Sequence, residues 1–152
     1  MIIQTCDPDC ADAQVLVTEL SAALAAITGE SGAASFSAHD ARVERALFVV
    51  ARDADGALLG CAALRALDGG AAEIGEIKRM YARPGKRGVG AALLAHLEGA
   101  ARGFGYSALW LETRRINARA VAFYLDHGYR QIPNYGKYVG RPEAVCFGKP
   151  LA

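Results

Sequence analysis

The segment YARPGKRGVGAALLAHLEGAARGFGY, residues 81–106, constrains the fold of this chain more than any other stretch. It places Gly85, Gly88 and Gly90 close together and then continues directly into a helical repeat of apolar residues. A helix N-terminus carries unpaired N–H groups and the positive end of the helix dipole, and glycine lets a ligand approach the backbone closely. The segment therefore predicts a phosphate-binding turn ahead of a helix. The alternative is a tight strand-to-helix turn without a ligand.

The composition is that of one compact domain, residues 1–152. The chain is 53% hydrophobic and 22% charged, which argues against a disordered chain. Its 17 Lys and Arg nearly balance 16 Asp and Glu, so the net charge of +1 gives no long-range attraction to nucleic acid or to an anionic membrane. No secretory leader and no uncharged apolar run of membrane-spanning length is visible. We expect a cytoplasmic protein with no nucleic-acid or membrane partner.

The four cysteines show no metal-binding pattern. They are Cys6, Cys10, Cys61 and Cys146, and they form neither a C-x-x-C pair nor a Cys/His group with zinc-finger spacing. Cys61 and Cys146 lie in apolar, strand-like runs, so we predict that both thiols are buried and inert. No metal site is expected.

Hydrophobic periodicity predicts a mixed α/β domain with the element order β-α-α-β-β-β-α-β-α-β-β. Asp55-Gly56 between two β-rich runs predicts a hairpin, and a second turn is predicted at Asp68-Gly69-Gly70. Ser37 and Asp40 form a loose capping-box pattern for a short second helix.

Two longer helices are predicted, one after the glycine-rich turn and one after the strand YSALWLET. The later one is predicted from about Asn117 to His127, with Gly128 as its C-terminal stop. The earlier one has an apolar face formed by Leu93, Leu94, Leu97, Ala101 and Phe104.

Three ligand classes use a glycine turn that leads into a helix. A Walker-type nucleotide site is excluded because Gly90 is followed by Ala-Ala-Leu rather than by Lys and Ser or Thr. A dinucleotide fold lacks its third glycine, since Leu93 stands there. Glu112 nevertheless ends a strand at a spacing along the chain from the glycine turn that suits contact with a ribose hydroxyl. A dinucleotide-binding oxidoreductase therefore stays as an alternative. The third class is coenzyme A.

The chain resembles the GNAT superfamily of acetyl-CoA-dependent N-acetyltransferases over about two-thirds of its length, from Phe48 to Leu151. The matching stretches are EIKRMYARP, RGVGAALLAHLEGAARGFGY, LWLET and NARAVAFYLDHGY. The resemblance implies a mixed, mostly antiparallel sheet with helices on both faces. It also implies acetyl-CoA as co-substrate, direct transfer of the acetyl group to a primary amine, and a homodimer. A CoA-binding sensor or interaction module without turnover is the alternative.

The resemblance also implies which residues hold the coenzyme. The family's first Arg or Gln of the pyrophosphate turn is Gly85 here, so Arg83, Lys86 or Arg87 would supply the missing charge. The backbone near Met80 would pair with the pantetheine arm like an added strand, and a free N–H there would polarise the acetyl carbonyl. The implied pairing residues are Met80, Tyr81 and Ala82, and the implied pyrophosphate seat is Arg87, Gly88, Val89, Gly90 and Ala91.

Tyr124 is the first candidate catalytic residue. Asn117 and Tyr124 lie seven residues apart, hence on one helical face, and with Ala120 they match the family pattern N-x-x-A-x-x-x-Y. The resemblance implies that Asn117 hydrogen-bonds the coenzyme and that Tyr124 protonates or hydrogen-bonds the leaving thiolate. The alternative is a core tyrosine whose hydroxyl has a backbone partner.

Glu76 is the second candidate, as general base. An alkylammonium with a pKa near 10.4 must lose its proton before it can attack, and a carboxylate accepts that proton directly or through water. The alternative is a structural ion pair with Lys78 or Arg79. In a strand without a bulge, one face would carry Glu76, Lys78, Met80 and Ala82, although a bulge is frequent in the family.

The acceptor pocket is implied to form between the first helices, residues 13–40, and the late loop IPNYGKYVGRPEA. Tyr135, Lys137, Tyr138 and Arg141 of this loop could wall a pocket or bind a carboxylate, or could be solvated. No acidic run offers a groove for a basic protein tail. We therefore expect a small-molecule amine or an amino acid as acceptor.

Overall fold

The computed structural model describes residues 1–67 and 73–151, so the turn predicted at Asp68-Gly69-Gly70 lies outside the described residues. The strands are β1 (Ile2–Thr5), β2 (Leu47–Arg52), β3 (Leu58–Ala66), β4 (Ile74–Ala82), β5 (Ala108–Arg114), β6 (Arg130–Ile132) and β7 (Ala144–Pro150). The helices are α1 (Ala11–Thr28), α2 (Val89–Phe104) and α3 (Ala118–Asp126), with short 3-10 helices at Ala33–Ser35, Ala38–Ala41 and Gly136–Tyr138.

The seven described strands form one sheet in the order β1-β2-β3-β4-β5-β7-β6. Each neighbouring pair is antiparallel except β4 and β5, which are parallel. The mixed, mostly antiparallel sheet predicted from the sequence is confirmed. A dinucleotide-binding fold needs a mostly parallel sheet, so the oxidoreductase alternative lacks its scaffold.

Helices cover both faces of the sheet. On one face, Ala13 and Leu16 of α1 pack with Phe48, Val50 and Ala63 of β2 and β3. On the other face lies α2, whose predicted apolar stripe is confirmed, because its leucines are buried. The α2 residues in this larger core are Val89, Leu93, Leu94, Leu97 and Ala101, with Phe104 packed at its margin.

By length and apolar composition alone, α1 could cross a membrane. Its polar residues have partners within the domain: Asp12 pairs with Arg52, and Glu19 pairs with Arg83. Leu16 is fully buried against the sheet. Ala13, Leu16 and Leu20 of α1 are therefore core residues of this domain, whereas Val15 and Ile27 of the same helix are exposed.

The predicted turns that the structure describes are present. Gly56 has a φ of 87° in the loop between β2 and β3, a backbone conformation that favours glycine. Gly128, with a φ of 88°, follows α3, and the N–H of Tyr129 donates to the carbonyl of Tyr124 at 3.0 Å, which is a Schellman motif. The Ser37 N–H donates to Asp40 Oδ2 at 2.8 Å, but the helix it caps is a single 3-10 turn.

Strands β4 and β5 pair only over Ile74–Glu76 and Ala108–Trp110 and then separate. From Ile77 onward, the edge of β4 that faces β5 has no strand partner. This separation leaves a gap in the middle of the sheet, and the sites described below lie in and beside it.

A β-bulge lies in the unpaired part of β4. The pairing with β3 shifts between Cys61 and Ala63, and Arg79 adopts a φ of 50°. As a result, Met80 packs with the core under α2, whereas Glu76 lies on the opposite face among polar partners. The prediction for an unbulged strand, that Glu76, Lys78, Met80 and Ala82 share one face, is therefore wrong.

Candidate active site

A slot of about 150 Å³ lies in the gap where β4 and β5 separate. We call it the β4–β5 slot. Met80 of β4 and Leu111 of β5 form its sides, and Asn117 and Tyr124 line it from α3. The structure thus brings together three residues that the sequence predicted for one site.

The Tyr124 side chain closes the inner end of this site. It is 6% exposed, and its ring packs edge-on against Phe123 and Tyr129 at centroid distances of 5.1 and 5.6 Å. Among the described residues its hydroxyl has no hydrogen-bond partner, so the backbone partner of the alternative interpretation is not found. Burial raises the pKa of Tyr124 well above its usual range. The residue is therefore a protonated hydrogen-bond donor in the slot.

Asn117 is the N-cap of α3. Its Oδ1 accepts a hydrogen bond from the Ala120 N–H at 3.3 Å. The capping bond fixes the side chain where it lines the slot, and it leaves the amide NH₂ without a partner among the described residues. That NH₂ group can donate to a ligand.

The N-terminus of α2 has the properties predicted for an anion seat. Gly88 caps the helix with a φ of 84° and has no side chain to accept the first N–H groups. Within the described residues, the N–H groups of Gly90 and Ala91 have no acceptor. Gly90 has a packing role as well, because a Cβ there would lie 3.1 Å from the Phe123 ring.

The cations near this turn divide into two groups. Arg83 pairs with Glu19 at 2.7 Å and also donates to the Leu58 carbonyl, so it is not a spare charge for a phosphate. Lys86 and Arg87 are exposed and have no ion pair within the described residues. The charge that the turn can offer a phosphate thus comes from Lys86 and Arg87.

Of the predicted pantetheine-pairing residues, Met80 lines the slot, whereas Tyr81 and Ala82 do not. The Tyr81 hydroxyl donates to Glu19 at 3.0 Å on the α1 face, and Ala82 is exposed. Their strand edge belongs to the stretch of β4 that has no partner after Glu76. Unpaired strand edges are the groups to which an extended ligand adds.

A second, larger cavity of about 640 Å³ lies beside the slot. We call it the acceptor-side cavity. It forms between the segment after α1 and the late loop, as the sequence predicted, but Arg141 does not line it. The cavity and the slot share Ser35, Lys78 and Tyr138, so the two spaces adjoin. The described residues around the larger cavity are Ala33–Ser37, Asp40, Arg65, Leu67, Glu76, Lys78 and Tyr135–Tyr138.

Glu76 lies in the wall of the acceptor-side cavity and is 3% exposed. Arg65 Nε donates to its Oε1 at 3.0 Å, and the Tyr135 hydroxyl donates to its Oε2 at 2.6 Å. Lys78 Nζ lies 3.6 Å from Oε2, whereas Arg79 is held by α1 and does not pair with it. Both carboxylate oxygens therefore already have donors.

The Tyr135–Glu76 hydrogen bond provides a route for a proton into this carboxylate. Burial and the neighbouring negative charge of Glu76 raise the pKa of Tyr135 far above its usual range. Tyr135 is therefore a hydroxyl at neutral pH. It can accept a proton on its oxygen only while it passes its own proton to Glu76.

Lys78 occupies the junction between the two spaces. Its Nζ donates to the Tyr138 hydroxyl at 2.9 Å. Burial lowers the pKa of Lys78, and the nearby Glu76 opposes this effect. The sequence named Tyr138 as a possible pocket residue and Lys78 as a possible partner of Glu76, but it did not bring these two residues together, because their meeting depends on the course of the late loop.

Arg65 was also missed. It lies directly opposite Glu76 in the β3–β4 pairing. Its only sequence signal is a charge inside the apolar run LLGCAALRAL, and the strand register that brings it to Glu76 is not visible in the sequence.

The cysteines take no part in either space. Cys61 and Cys146 are fully buried, as predicted. Cys6 and Cys10 lie with their Sγ atoms 3.1 Å apart, and Cys10 caps α1 by accepting from the Ala13 N–H. In the part of the chain that the structure describes, no group of His, Cys, Asp or Glu could hold a metal ion.

A bare helix N-terminus beside an open strand edge suits an acyl carrier, and the comparisons with known proteins assign the chain to the acyltransferases. The chain belongs to the acetyltransferase (GNAT) family, whose model matches residues 18–129. An IAA acetyltransferase of Azospirillum brasilense is 40% identical over 108 residues, 68% of this chain and 67% of its own.

Solved structures agree with this assignment. A protein of Klebsiella pneumoniae subsp. pneumoniae MGH 78578, assigned as an acyl-CoA N-acyltransferase, has a TM-score of 0.80 and 28% identity over 99% of this chain and 97% of its own. N-acetylglutamate synthase of Neisseria gonorrhoeae, solved with coenzyme A and N-acetyl-glutamate, matches with a TM-score of 0.72 and 20% identity. This match covers 100% of the present chain but 36% of the synthase, and it bears on the fold alone.

Proposed function

We propose that this enzyme transfers the acetyl group of acetyl-CoA directly to the primary amine of a small molecule. The observation that carries the proposal is the shared wall of the two spaces. The β4–β5 slot, which holds Tyr124, adjoins the acceptor-side cavity, which holds Glu76, at Ser35, Lys78 and Tyr138. A donor in the first space and an amine in the second would meet there.

The residues around the slot fit coenzyme A. The unpaired N–H groups of Gly90 and Ala91, with Lys86 and Arg87 beside them, suit a diphosphate. The free edge of β4 after Glu76 suits the amide-bearing arm, which adds to a strand through main-chain hydrogen bonds. Bound there, acetyl-CoA supplies an acetyl group activated as a thioester.

On the acceptor side, the chain removes a proton from the ammonium. We assign this step to Tyr135 and Glu76 acting together. The ammonium proton moves to the Tyr135 oxygen while the Tyr135 proton moves along its 2.6 Å hydrogen bond to Glu76 Oε2. The nitrogen keeps the electron pair of the broken N–H bond and becomes a nucleophile.

On the donor side, the chain assists the leaving group. The amine attacks the thioester carbonyl, the C–N bond forms and the C–S bond breaks, while the Tyr124 hydroxyl donates a hydrogen bond to the leaving sulfur. The second proton that the nitrogen loses as it becomes an amide nitrogen goes to the thiolate, which leaves as the free thiol. A thiol with a pKa of about 8.5 is already a tolerable leaving group, so this donor accelerates the step modestly.

A double-mutant cycle on Tyr135 and Glu76 tests the proposal. Thiol release from acetyl-CoA is measured over a panel of amines for the wild type, Tyr135→Phe, Glu76→Gln and the double variant. If both residues form one relay, each single variant loses at least about tenfold in kcat, and the double variant loses no more than either single one. Additive losses would overturn the relay, and no thiol release from the wild type with any amine would overturn the function.

The pH dependence of the loss in kcat provides an internal control. Free amine becomes more abundant as the pH approaches the alkylammonium pKa of about 10.4. The deficit of Tyr135→Phe should therefore shrink from pH 7 to pH 10. Tyr135→Phe keeps the aromatic ring and should fold like the wild type. It therefore tests the relay even if Glu76→Gln has a folding defect.

A further inference from the structure

The acceptor-side cavity carries more positive charge than its own carboxylates neutralise. Arg65 donates to both Asp40 and Glu76, so those two carboxylates and this guanidinium satisfy one another. Two further cations, Lys78 and Lys137, also line the cavity. Among the residues that line the cavity, three cations therefore face two carboxylates. Glu112 of the adjoining slot also attracts both lysines, but it is paired with Arg114 at 2.6 Å.

Neither lysine has a carboxylate of its own. Lys137 Nζ donates to the Ser35 hydroxyl at 2.8 Å, and it has no ion pair among the described residues. Lys78 Nζ donates to the Tyr138 hydroxyl, and its nearest carboxylate oxygen, on Glu76, is 3.6 Å away and already accepts from Tyr135. Each ammonium has N–H donors left for a ligand.

The two lysines converge on one aromatic ring. Lys78 Nζ and Lys137 Nζ each lie 5.5 Å from the centroid of the Tyr138 ring. The two nitrogens are therefore no further apart than twice that distance, and both lie beside the wall that the cavity shares with the slot. Both ammonium groups therefore lie around the Tyr138 ring, which belongs to the wall that the cavity shares with the slot.

Resting on the function proposed above, we propose that the acceptor is an amine that also carries a carboxylate, and that Lys137 and Lys78 hold this carboxylate at the Tyr138 end of the cavity. An acceptor with only ammonium groups would meet uncompensated positive charge there. The low pKa that burial gives Lys78 is consistent with this role, because a bound carboxylate stabilises its charged form.

Matched acceptor pairs test this inference by thiol release from acetyl-CoA. The pairs are β-alanine with propylamine, γ-aminobutyrate with butylamine, and phenylalanine with phenethylamine. In the pair with the fastest turnover, the acid should exceed the bare amine at least about tenfold in kcat/KM. Lys137→Gln should lower kcat/KM for the acid about tenfold and leave the bare amine within about twofold.

Arg141→Gln is the matched control, because it removes an exposed cation from the same loop that does not line the cavity. It should leave both acceptors unchanged. Lys137 is exposed, so its loss leaves the core intact, and the stabilisation of the variant by acetyl-CoA should equal that of the wild type.

Two results would overturn the inference while leaving the proposed function standing. In the first, bare amines are acetylated as fast as their acids. In the second, Lys137→Gln lowers kcat/KM equally for the acids and the bare amines. Failure of acids and bare amines alike to release thiol would overturn the proposed function, and this inference with it.

Discussion

At the scale of single residues, Tyr124 differs from the other buried tyrosines because its hydroxyl has no protein partner among the described residues. Tyr124→Phe should lower kcat about five- to tenfold and leave the melting temperature and the KM for acetyl-CoA nearly unchanged, since only a hydrogen bond to the leaving sulfur is lost. Steady-state kinetics and thermal unfolding measure both effects.

Tyr106→Phe is the control for this substitution. The Tyr106 hydroxyl donates to the Arg45 carbonyl at 2.6 Å, and neither residue lines the slot. Its loss should reduce stability by about 1 kcal/mol and spare kcat. Equal kcat in Tyr124→Phe and the wild type would remove Tyr124 from the mechanism.

The backbone conformation of Arg79 leads to a prediction about the bulge in β4. Its guanidinium donates to the Val17 and Ser31 carbonyls and to the Ser21 hydroxyl, and its φ of 50° is one that side chains disfavour. Both Arg79→Ala and Arg79→Gly lose these hydrogen bonds, but only glycine relieves the backbone. Arg79→Gly should therefore be about 1 kcal/mol more stable than Arg79→Ala in urea unfolding.

An ordinary strand position shows the opposite order. At Gln131 in β6, alanine should be more stable than glycine, because glycine there has only its entropic cost. If alanine is also the better residue at position 79, the bulge is absent in solution.

Sequence spacing predicted the functional residues that lie within one element and missed those joined across elements. Asn117 and Tyr124 share a helical face by arithmetic alone. The partners of Glu76 are different: Arg65 reaches it through strand register and Tyr135 through a loop, and neither is encoded in local periodicity. The catalytic role of Glu76 thus stays a prediction; the sequence named its neighbour Lys78 but not its hydrogen bonds with Arg65 and Tyr135.

At the scale of elements, the two ends of α2 predict opposite effects of the same substitution. Gly88→Ala places a Cβ on a residue with a φ of 84° and should lower the free energy of unfolding by about 1 kcal/mol. Gly103→Ala lies inside the helix with open space around it and should gain up to about 1 kcal/mol. The measurement is the free energy of unfolding of each variant in urea. Shifts of the same sign would contradict the left-handed cap.

Most element positions could be predicted, because they follow from periodicity and turn residues. Strand β7, helix α2 and the hairpin at Gly56 are examples. The exact facing of β4 could not be predicted, because its bulge is stabilised by contacts of Arg79 with residues about 50 to 60 positions away, as the chain separations of 48, 58 and 62 show.

At the scale of the whole molecule, an exposed ion-pair group predicts part of the acid sensitivity. Arg42 donates to Asp7 and Asp9 and so joins the loop before α1 to the segment before β2. The hydrogen bonds from Arg42, and then from the Asp9 N–H, lower the pKa of Asp7 from 3.8 to about 2. A lowered carboxyl pKa stabilises the fold above the unfolded-state pKa, and this contribution is lost as the pH falls from about 4 to about 2.

Asp7→Asn should therefore lose less stability than the wild type over that interval. Urea midpoints measured from pH 5 to pH 2 would show two curves that converge at the acid end. Curves that stay parallel would show that Asp7 has the same pKa in the folded and unfolded states.

The gap between β4 and β5 has a consequence for how such an enzyme diversifies. Under the function proposed above, the arm of the coenzyme would pair there with main-chain groups, which most substitutions leave in place, whereas the acceptor would contact the side chains of Lys78, Tyr135 and Lys137. Substitutions in the wall of the acceptor-side cavity would therefore leave the coenzyme site unchanged. A lineage built on this scaffold can exchange one amine for another while the donor stays the same.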